Sequence, residues 1–396
     1  MKFERAALPV GHLWSSPFVR WQGALQDVSS IDLAAAVTND ALDARGIERA
    51  NIDTLVLGTT VPQASSFYAA PWLAARLKLP SISGPHLSQA CATSVACLVD
   101  AAMRAEVAPD AMSLVVTSDR TSNGPLLVYP RNQGMGGSPA VENWVLDNFA
   151  ADPNTGQPMI ATAENVARDG GMSRERLDEL TLLRWQQYRT ALADDRRVQR
   201  AWMQPVRLAR GKAKLLVVEE DQGVHPYTTE GLARLAPVQP GGVVTYGMQT
   251  HPADGCAGAV VTSSERAKAL DREKGTVRLL AAGFARAGLA EMPKAATLAA
   301  ERALADAGLT VNDLALAQTH NPFVVNDLWF HQRTGFDLER MNVWGSSLIY
   351  GHPQGPTGLR GIVELVHALR ERGGGIGLFT GCAAGDTGAA LVLRVD

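Results

Sequence analysis

Cys91 stands at the point where a run of small residues gives way to a helical pattern. The apolar residues Val95 and Leu98 follow at helical spacing, which predicts a helix that begins close to the cysteine. A thiol at a helix N-terminus faces unpaired backbone N–H groups and the positive end of the helix dipole, and both lower its pKa. The sequence therefore predicts a reactive thiolate at Cys91. The alternative is a small buried filler, which fits Cys97 inside the same helix.

His352 lies on a loop rich in glycine and proline, within Tyr350–Gly361. The apolar residues between Ile362 and Leu369 predict a helix directly after this loop. A histidine at a helix start is kept partly neutral by the local positive potential, as a general base requires. We interpret His352 as a general base, with an ordinary turn residue as the alternative.

Cys382 and His320 each follow an apolar run that predicts a buried strand. Cys382 opens a glycine-rich turn, Cys382–Gly385, and the backbone N–H groups of such a turn can converge on an oxyanion. His320 follows the apolar run 314–317, and the carboxyl ends of strands are where α/β sheets place their sites. Each of these patterns is weak by itself.

Two stretches of the chain repeat one order of strand, loop, helix and strand. Short apolar strands that alternate with helices predict α/β layers, and the repetition indicates an internal duplication. The strands and helices concerned are 55–58, 90–106 and 112–117 in the first stretch, and 314–317, 351–372 and 375–380 in the second.

The segment between the two stretches has a different composition. Turn residues accumulate there, including the cluster Gly134–Gly137, and helices are predicted over 161–170 and 173–194. A long insertion of this kind usually covers a site or mediates assembly, with a tolerated surface excursion as the alternative. The predicted boundaries are residues 1–119 for the first half, 120–250 for an inserted loop domain that returns to the first half, and 251–396 for the second half.

Composition excludes several classes of function. The 396 residues exceed one compact core, and 46% hydrophobic with 19% charged residues is a globular balance. A net charge of -3 without a basic run argues against nucleic acid, and no apolar stretch approaches the roughly 18 residues of a membrane span. The N-terminus lacks the apolar core of a secretory signal. The four cysteines lack metal-ligand spacing except for the pair Cys91 and Cys97, and no His or Cys pair elsewhere completes a zinc set with it. We predict a cytoplasmic protein with free thiols and no bound metal.

Taken together, in order and spacing, these segments resemble the thiolase family. Cys91 is similar to the acylated nucleophile of that family, residues 351–358 resemble its GHPxGxxG loop, and Cys382 is similar to the proton-donating cysteine of its last loop. The likeness runs from Ser16 to Val395. It includes two further parts, the loop-domain helices at Met159–Ala167 and Ser173–Asp178 and the NDGAAAVV-like strand at Ala253–Val261.

The resemblance implies a thiolase fold, in which two similar α/β halves pack as five layers and a loop domain rises over the site. It also implies an acyltransferase that works by ping-pong acyl transfer between coenzyme A and Cys91, cleaving 3-ketoacyl-CoA or condensing two acyl-CoAs. His352 would take the Cys91 proton, and Cys382 would exchange a proton in the second half-reaction. Coenzyme A would be a substrate with no further cofactor. The chain would form a homodimer or homotetramer, and an accessory subunit stays open.

The resemblance also assigns binding roles. The backbone N–H groups of Cys91 and Ala384 would form one oxyanion hole, and the side chains of His320 and His352 would form the other. The remaining substrate or CoA-binding candidates, each with packing as the alternative, are Met159, Thr250, Phe323 and Arg210. The positive charge near the CoA region comes from Arg207, Arg210, Lys212 and Lys214, whereas Val224 stands where many relatives carry a phosphate-pairing arginine.

Two motifs depart from the usual family pattern. Residues 320–323 read His-Asn-Pro-Phe instead of Asn-Glu-Ala-Phe, and a histidine at this first position also occurs in sterol-carrier-type thiolases. His320 would donate directly to the thioester oxygen, where an asparagine works through water. The last motif ends in Asp386, which either adds a carboxylate near the pocket or caps a turn.

Two other functions remain as alternatives. A decarboxylating ketoacyl synthase shares the fold and uses a Cys-His-Asn or Cys-His-His set, but it needs no counterpart of Cys382. A low-turnover acyl-CoA-binding subunit of a larger complex would not need Cys91, His352 and Cys382 intact. Three aromatic residues are left open between pocket lining and packing, namely Tyr129, Trp144 and Phe149.

Overall fold

The computed structural model describes residues 1–79, 81–131, 136–211, 214–271 and 275–396, and this part of the chain contains fifteen strands and thirteen α-helices. The strands are β1 Ala6–Pro9, β2 Leu13–Ser15, β3 Val19–Arg20, β4 Thr54–Gly58, β5 His86–Leu87, β6 Ser113–Arg120, β7 Leu126–Tyr129, β8 Ala140–Asn143, β9 Val206–Arg210, β10 Lys214–Val218, β11 Ala253–Ser263, β12 Thr276–Arg286, β13 Leu316–His320, β14 Gly375–Ala383 and β15 Thr387–Val395. The helices are α1 Ser30–Ala44, α2 Ala69–Arg76, α3 Thr93–Val107, α4 Leu146–Ala150, α5 Met159–Asp169, α6 Arg174–Ala191, α7 Ala193–Arg200, α8 Thr229–Ala233, α9 Ser264–Leu270, α10 Met292–Ala307, α11 Val324–Thr334, α12 Ser347–Tyr350 and α13 Gly355–Glu371.

The order of the strands in the sheet is the same in the two halves, as the predicted duplication requires. In the first half β1 pairs antiparallel with β11, β11 antiparallel with β6, and β6 parallel with β4. Strand β11 thus belongs by its pairing to the first half, although it follows the boundary predicted at residue 250. In the second half β12 pairs antiparallel with β15, β15 antiparallel with β14, and β14 parallel with β13. The antiparallel pair of β1 with β12 joins the two halves into one sheet. Equivalent strands therefore occupy equivalent places in both halves.

Three apolar cores separate the layers. Neighbouring residues of β4 point to opposite faces, so that Val56 enters the central core and Leu57 enters the core beneath α1 and α2. In β14, Phe379 likewise enters the central core, whereas Leu378 faces the core beneath α10 and α11. Helices α3 and α13 pack against each other within the central core. The loops that precede these two equivalent helices also lie side by side, since Cys91 before α3 contacts His352 before α13.

The predicted elements are present, with shifted ends. The strand expected over 314–317 begins at Leu316 and continues to His320, because its parallel pairing with β14 extends to the pair His320 with Gly381. The helices expected at 161–170 and 173–194 are α5 and α6, and Ser173 caps α6 by accepting the N–H of Arg176. Two parts of the predictions, residues 134–135 of the glycine cluster and Lys212, lie outside the described residues.

The inserted segment packs onto the second half. Helices α5 and α6 contact α11, and a buried ion pair joins Arg184 of α6 to Asp327 of α11 with an N–O distance of 2.7 Å. Both side chains are fully buried, so each charge depends on the other for compensation. Asp327 in turn accepts the side-chain N–H groups of Asn321 and Asn342. The insertion is thereby connected to the loop that follows β13.

Candidate active site

Cys91 and His352 meet where the loops before α3 and α13 converge. The Nε2 atom of His352 lies 3.1 Å from the Sγ atom of Cys91, within hydrogen-bond reach for a sulfur. Cys91 is half-buried and His352 is buried. This separation is the one that a nucleophile and its general base require.

Local structure fixes the orientation of the His352 ring. Its Nδ1 atom lies 2.7 Å from the hydroxyl of Thr357, and its backbone N–H donates to the carbonyl of His251. Gly351 has a φ of 95°, and a Cβ there would lie 2.7 Å from Nε2 of His251, so only glycine fits beneath the loop. Burial, and then the neighbouring His320, hold the pKa of His352 well below its usual 6.5. The ring is therefore neutral, because of burial more than helix potential.

The prediction that the pKa of Cys91 is lowered is wrong, because its net shift is upward. Burial raises the pKa of the Cys91 thiol to about 12, and the backbone N–H groups of Ala384 and of Cys91 itself offset this only in part. Burial is the main cause, and in the turn before α3 the N–H groups of Ala92 and Thr93 already donate to the carbonyls of Gln89 and Ala90. These donors are no longer free to stabilise a thiolate. The resting pair is consequently a neutral thiol beside a neutral imidazole.

Asp119, at the end of β6, holds the His352 loop from the other half of the molecule. Its buried carboxylate accepts the backbone N–H groups of Thr60, Val61 and Gly355 at 2.8, 3.0 and 2.9 Å. Burial raises the pKa of Asp119 to about 7, and these hydrogen bonds act in the opposite direction. Because Gly355 is the first residue of α13, Asp119 fixes the start of that helix relative to β6.

Cys382 lies in β14 and is buried. The side-chain amide of Asn326 donates to its Sγ atom at 3.2 Å. Burial raises the pKa of Cys382, and the nearby Cys91 raises it further. Cys382 is therefore held as a thiol, a form that can give up a proton when a stronger base develops beside it.

His320 is the last residue of β13 and stacks on His352, with ring centroids 4.0 Å apart and planes 29° from parallel. Burial lowers the pKa of His320 to about 3, so this ring is also neutral. Its Nδ1 atom lies 2.8 Å from the hydroxyl of Ser347, while its buried Nε2 atom has no hydrogen-bond partner in the described part of the chain.

Cys91, His320 and His352 are a metal-ligating set by residue type, since one ligand atom of each lies within 4.8 Å of the others. Stacked imidazoles direct their in-plane lone pairs side by side, whereas a tetrahedral ion needs ligand lone pairs that converge on one point. The arrangement therefore suits proton transfer and hydrogen bonding better than coordination.

A cavity of about 400 Å³ opens onto the two cysteines and His352. Its wall is largely apolar, and it includes the predicted binding residues Met159, Thr250 and Phe323. The full lining is Cys91, Leu146, Phe149, Ala150, Pro158, Met159, Ile160, Tyr246, Gln249, Thr250, Pro252, Met292, Pro322, Phe323, His352, Cys382 and Ala384.

The comparisons with known proteins agree with this architecture. The N-terminal thiolase domain model matches residues 13–265, and the C-terminal thiolase domain model matches residues 273–395. The chain belongs to the thiolase family. Among the described residues of this thiolase, no helix is both long and apolar enough to cross a bilayer.

The chain is similar to proteins named as thiolases or acetyl-CoA acetyltransferases over nearly the whole of both chains. A 3-ketoacyl-CoA thiolase of Pseudoalteromonas translucida is 29% identical over 96% of this chain and 94% of its own length. An acetyl-CoA acetyltransferase of Pseudomonas aeruginosa is 28% identical over 95% of this chain and 96% of its own. Human mitochondrial 3-ketoacyl-CoA thiolase in complex with CoA shares the fold with a TM-score of 0.89 at 24% identity, over 100% of this chain and 99% of that one. The Bacillus anthracis acetyl-CoA acetyltransferase has a TM-score of 0.90 at 25% identity, over 100% of both chains.

Of the other residues that the sequence predicts near the substrate of this thiolase, some line the cavity and others lie outside it. Arg210 lies on the exposed strand β9, where its guanidinium donates to the carbonyl of Ala24 at 2.6 Å, away from the cavity wall. Phe149 lines the cavity, whereas the Trp144 indole donates to the carbonyl of Thr60. Tyr129 is exposed and donates to Glu142.

Asp386 is not among the residues that line the cavity, and its carboxylate accepts the N–H groups of Ala290 and Glu291, in the distant segment that leads into α10. Sequence reasoning missed three polar residues that support this thiolase site, Asp119, Asn326 and Ser347. The one available signal was a polar residue at a strand end, which applies to Asp119. Nothing in the sequence distinguishes Asn326 or Ser347 from their neighbours.

Proposed function

We propose that this chain transfers acyl groups between coenzyme A and Cys91 by ping-pong chemistry. It cleaves 3-ketoacyl-CoA with CoA, or condenses two acyl-CoA molecules in the reverse direction. The observation that carries the proposal is the 3.1 Å contact between Cys91 and His352 at a cavity that Cys382 also lines. Covalent catalysis through a cysteine divides one difficult exchange into two easier steps.

In the cleavage direction, the Cys91 sulfur attacks the 3-keto carbon while its proton passes to Nε2 of His352. His352 can accept this proton because its ring is neutral at rest. The bond between the second and third carbons then breaks and leaves the enolate of the shorter acyl-CoA. Cys382 gives its proton to that enolate and becomes a thiolate.

In the second half-reaction the Cys382 thiolate takes the proton of an incoming CoA thiol. The CoA sulfur attacks the acyl group on Cys91, and the Cys91 sulfur leaves and recovers its proton from His352. All protons are then back at their starting positions. The reverse sequence condenses two acyl-CoA molecules.

Two sets of donors serve the oxygens that gain charge in these steps. The backbone N–H groups of Cys91 and Ala384 are proposed as one oxyanion hole, supported by the fact that both lower the pKa of the Cys91 sulfur. His320 and His352 are proposed as the other, at the oxygen of the enolate. The unpartnered Nε2 atom of His320 supports this second assignment.

The substrate is proposed to lie along the apolar cavity, with Met159, Thr250 and Phe323 beside the pantetheine arm. The nucleotide end of CoA would lie outside the cavity, where Arg210 remains a candidate for its phosphates. Coenzyme A is then a substrate, and no further cofactor is required. Residues 120–250 are proposed to act as a loop domain, because Leu146, Phe149, Met159 and Ile160 come from that segment.

The proposal extends to assembly as a homodimer or homotetramer in the cytoplasm. The hairpin of β7 and β8 exposes Leu126, Val128 and Val141, with Val128 directly opposite Val141. A two-stranded ribbon with an apolar exposed face is marginal by itself, which favours a covering subunit. Light scattering of the purified chain measures the assembly directly.

The function is tested by thiolysis of a panel of straight, branched and aromatic 3-ketoacyl-CoA substrates, followed by the mass of the enzyme-bound acyl group. We expect CoA-dependent cleavage and an acyl adduct on Cys91. A requirement for a carboxylated acyl donor with loss of carbon dioxide would indicate a decarboxylating condensing enzyme instead. Binding of acyl-CoA without an adduct or turnover would indicate a binding subunit.

A further inference from the structure

Ser347 is a fully buried residue at the first position of α12, directly behind His320. Its hydroxyl oxygen lies 2.8 Å from Nδ1 of His320, 3.3 Å from the backbone nitrogen of Asn321, and 3.4 Å from Oδ1 of Asn321. The hydroxyl therefore has three polar neighbours and a single proton to share among them.

The neighbours of Ser347 have fixed roles. The backbone N–H of Asn321 can only donate, so the serine oxygen accepts from it. The side-chain amide nitrogen of Asn321 donates to the carboxylate of Asp327 at 2.7 Å, so Oδ1 is the atom that faces Ser347. Oδ1 of Asn321 already accepts the backbone N–H of Leu348. The serine proton thus has two possible acceptors, this Oδ1 and Nδ1 of His320.

Distance decides between the two acceptors. The 2.8 Å contact to His320 has a normal hydrogen-bond length whichever atom donates, whereas 3.4 Å to Asn321 is longer than a normal bond from a hydroxyl. If Nδ1–H of His320 donated instead, the buried serine proton would be left with this long contact to Asn321. The hydroxyl therefore donates to Nδ1 of His320, which must then carry a lone pair. A neutral imidazole with a lone pair on Nδ1 carries its proton on Nε2.

We propose that Ser347 is a positioning residue that selects the Nε2–H tautomer of neutral His320, so that the ring presents a hydrogen-bond donor to the enolate oxygen. This inference rests on the proposed function for the identity of the acceptor, but the tautomer is a property of the free enzyme. With the opposite tautomer, Nε2 would turn a lone pair toward a developing negative charge and would oppose the reaction. The hydroxyl of Ser347 thereby determines whether His320 helps or hinders catalysis.

Ring-¹⁵N-labelled histidine distinguishes the two tautomers by NMR, because protonated and unprotonated ring nitrogens resonate in separate regions. The His320 signals are assigned by their disappearance in His320→Ala. We expect the free wild-type enzyme to show a protonated Nε2 and an unprotonated Nδ1. An Nδ1–H tautomer in the wild type would overturn the proposal without any variant of Ser347 having to fold.

Ser347→Ala removes the hydroxyl that is proposed to donate to Nδ1 of His320. We expect it to shift His320 toward Nδ1–H or a mixture, and to lower turnover by up to about 10²–10³-fold, the effect of losing one oxyanion donor, with KM little changed. The double variant Ser347→Ala with His320→Ala should turn over no more slowly than His320→Ala alone, because Ser347 acts through His320. An additive loss, or an unchanged tautomer in Ser347→Ala, would refute the positioning role.

Ser346→Ala is the control, since Ser346 is the adjacent buried serine and its hydroxyl has no hydrogen-bond partner in the described part of the chain. We expect the tautomer and turnover of Ser346→Ala to match the wild type. If the wild type shows Nε2–H but no 3-ketoacyl-CoA is cleaved, the proposed function fails while the tautomer assignment stands.

Discussion

The Nε2 atom of His352 lies 3.1 Å from the Sγ atom of Cys91, although the two residues are 261 positions apart in the chain. Each residue precedes the central helix of one half, Cys91 before α3 and His352 before α13. The internal duplication packs these two equivalent helices together, so their N-terminal loops share one site. The reactive pair therefore depends on the contact between the halves, which Asp119 reinforces through Gly355.

The protonation states of the pair predict an acylation rate that is nearly independent of pH. Burial raises the pKa of Cys91 to about 12 and lowers that of His352 below 6.5, so neither group titrates between about pH 6.5 and 9. Stopped-flow acylation by one acyl-CoA should give a flat profile from about pH 8 to 9, above the titration of Asp119, whose pKa burial raises to about 7 and whose carboxylate holds the His352 loop. A rate that rises with pH across this range would mean that a free thiolate forms and would contradict the prediction.

Cys382→Ser should slow cleavage of 3-ketoacyl-CoA by about 10²–10⁴-fold, the usual contribution of a proton-transfer group. Simple acyl exchange from acyl-CoA onto Cys91 should be affected less, because the leaving CoA thiolate can recover the proton that His352 took. Steady-state thiolysis and the acylation burst are measured side by side. Cys256→Ser is the control, a buried cysteine beside the hydroxyl of Ser118 and outside the cavity. Loss of the burst in Cys382→Ser would require the roles of Cys382 and His352 to be exchanged.

His320→Ala should lower turnover by about 10²–10³-fold, with substrate binding less affected, since one oxyanion donor is removed. His320→Asn should recover part of this loss if a water molecule fills the gap beside the shorter side chain. Steady-state kinetics of both variants on one good substrate provide the comparison. His225→Ala, at an exposed histidine, serves as control. Turnover of His320→Ala close to that of the wild type would leave His320 with a structural role.

Asp119→Asn should weaken both stability and acylation. The amide nitrogen of asparagine would face N–H groups that now donate to a carboxylate, at Thr60, Val61 or Gly355. Leaving one buried donor unsatisfied costs about 1–3 kcal/mol in the free energy of unfolding. Denaturant unfolding and the acylation burst are measured together, with Asp110→Asn, at an exposed aspartate, as control. Unchanged values of both quantities would show that Asp119 does not hold the His352 loop.

The sequence was sufficient to predict which residues meet at the site, but it did not predict their electrostatics. Cys91, His352 and Cys382 were identifiable because each lies in a short motif with a local signature. The sign of the Cys91 pKa shift was not, because it depends on burial and on the carbonyls of Gln89 and Ala90 that take the helix donors.

The contacts that support the site residues could not be predicted from local sequence patterns either. Asp119 with Gly355, Asn326 with Cys382, and Ser347 with His320 join positions that are far apart in the chain. Arg210 lies on an exposed hairpin outside the cavity, and its role at the nucleotide end of CoA stays a prediction. The fold itself was predictable because the apolar strands and helices occur twice in the same order.

Intact-protein mass spectrometry shows whether Cys91 carries the acyl group. The enzyme is mixed with an acyl-CoA in the absence of free CoA, quenched in acid, and mapped by peptide digestion. We expect one acyl group per chain on the peptide that contains Cys91, retention of that label in Cys97→Ala, and its absence in a folded Cys91→Ala variant. Acyl label on Cys91→Ala, or label confined to Cys382 in the wild type, would rule out Cys91 as the acylated residue.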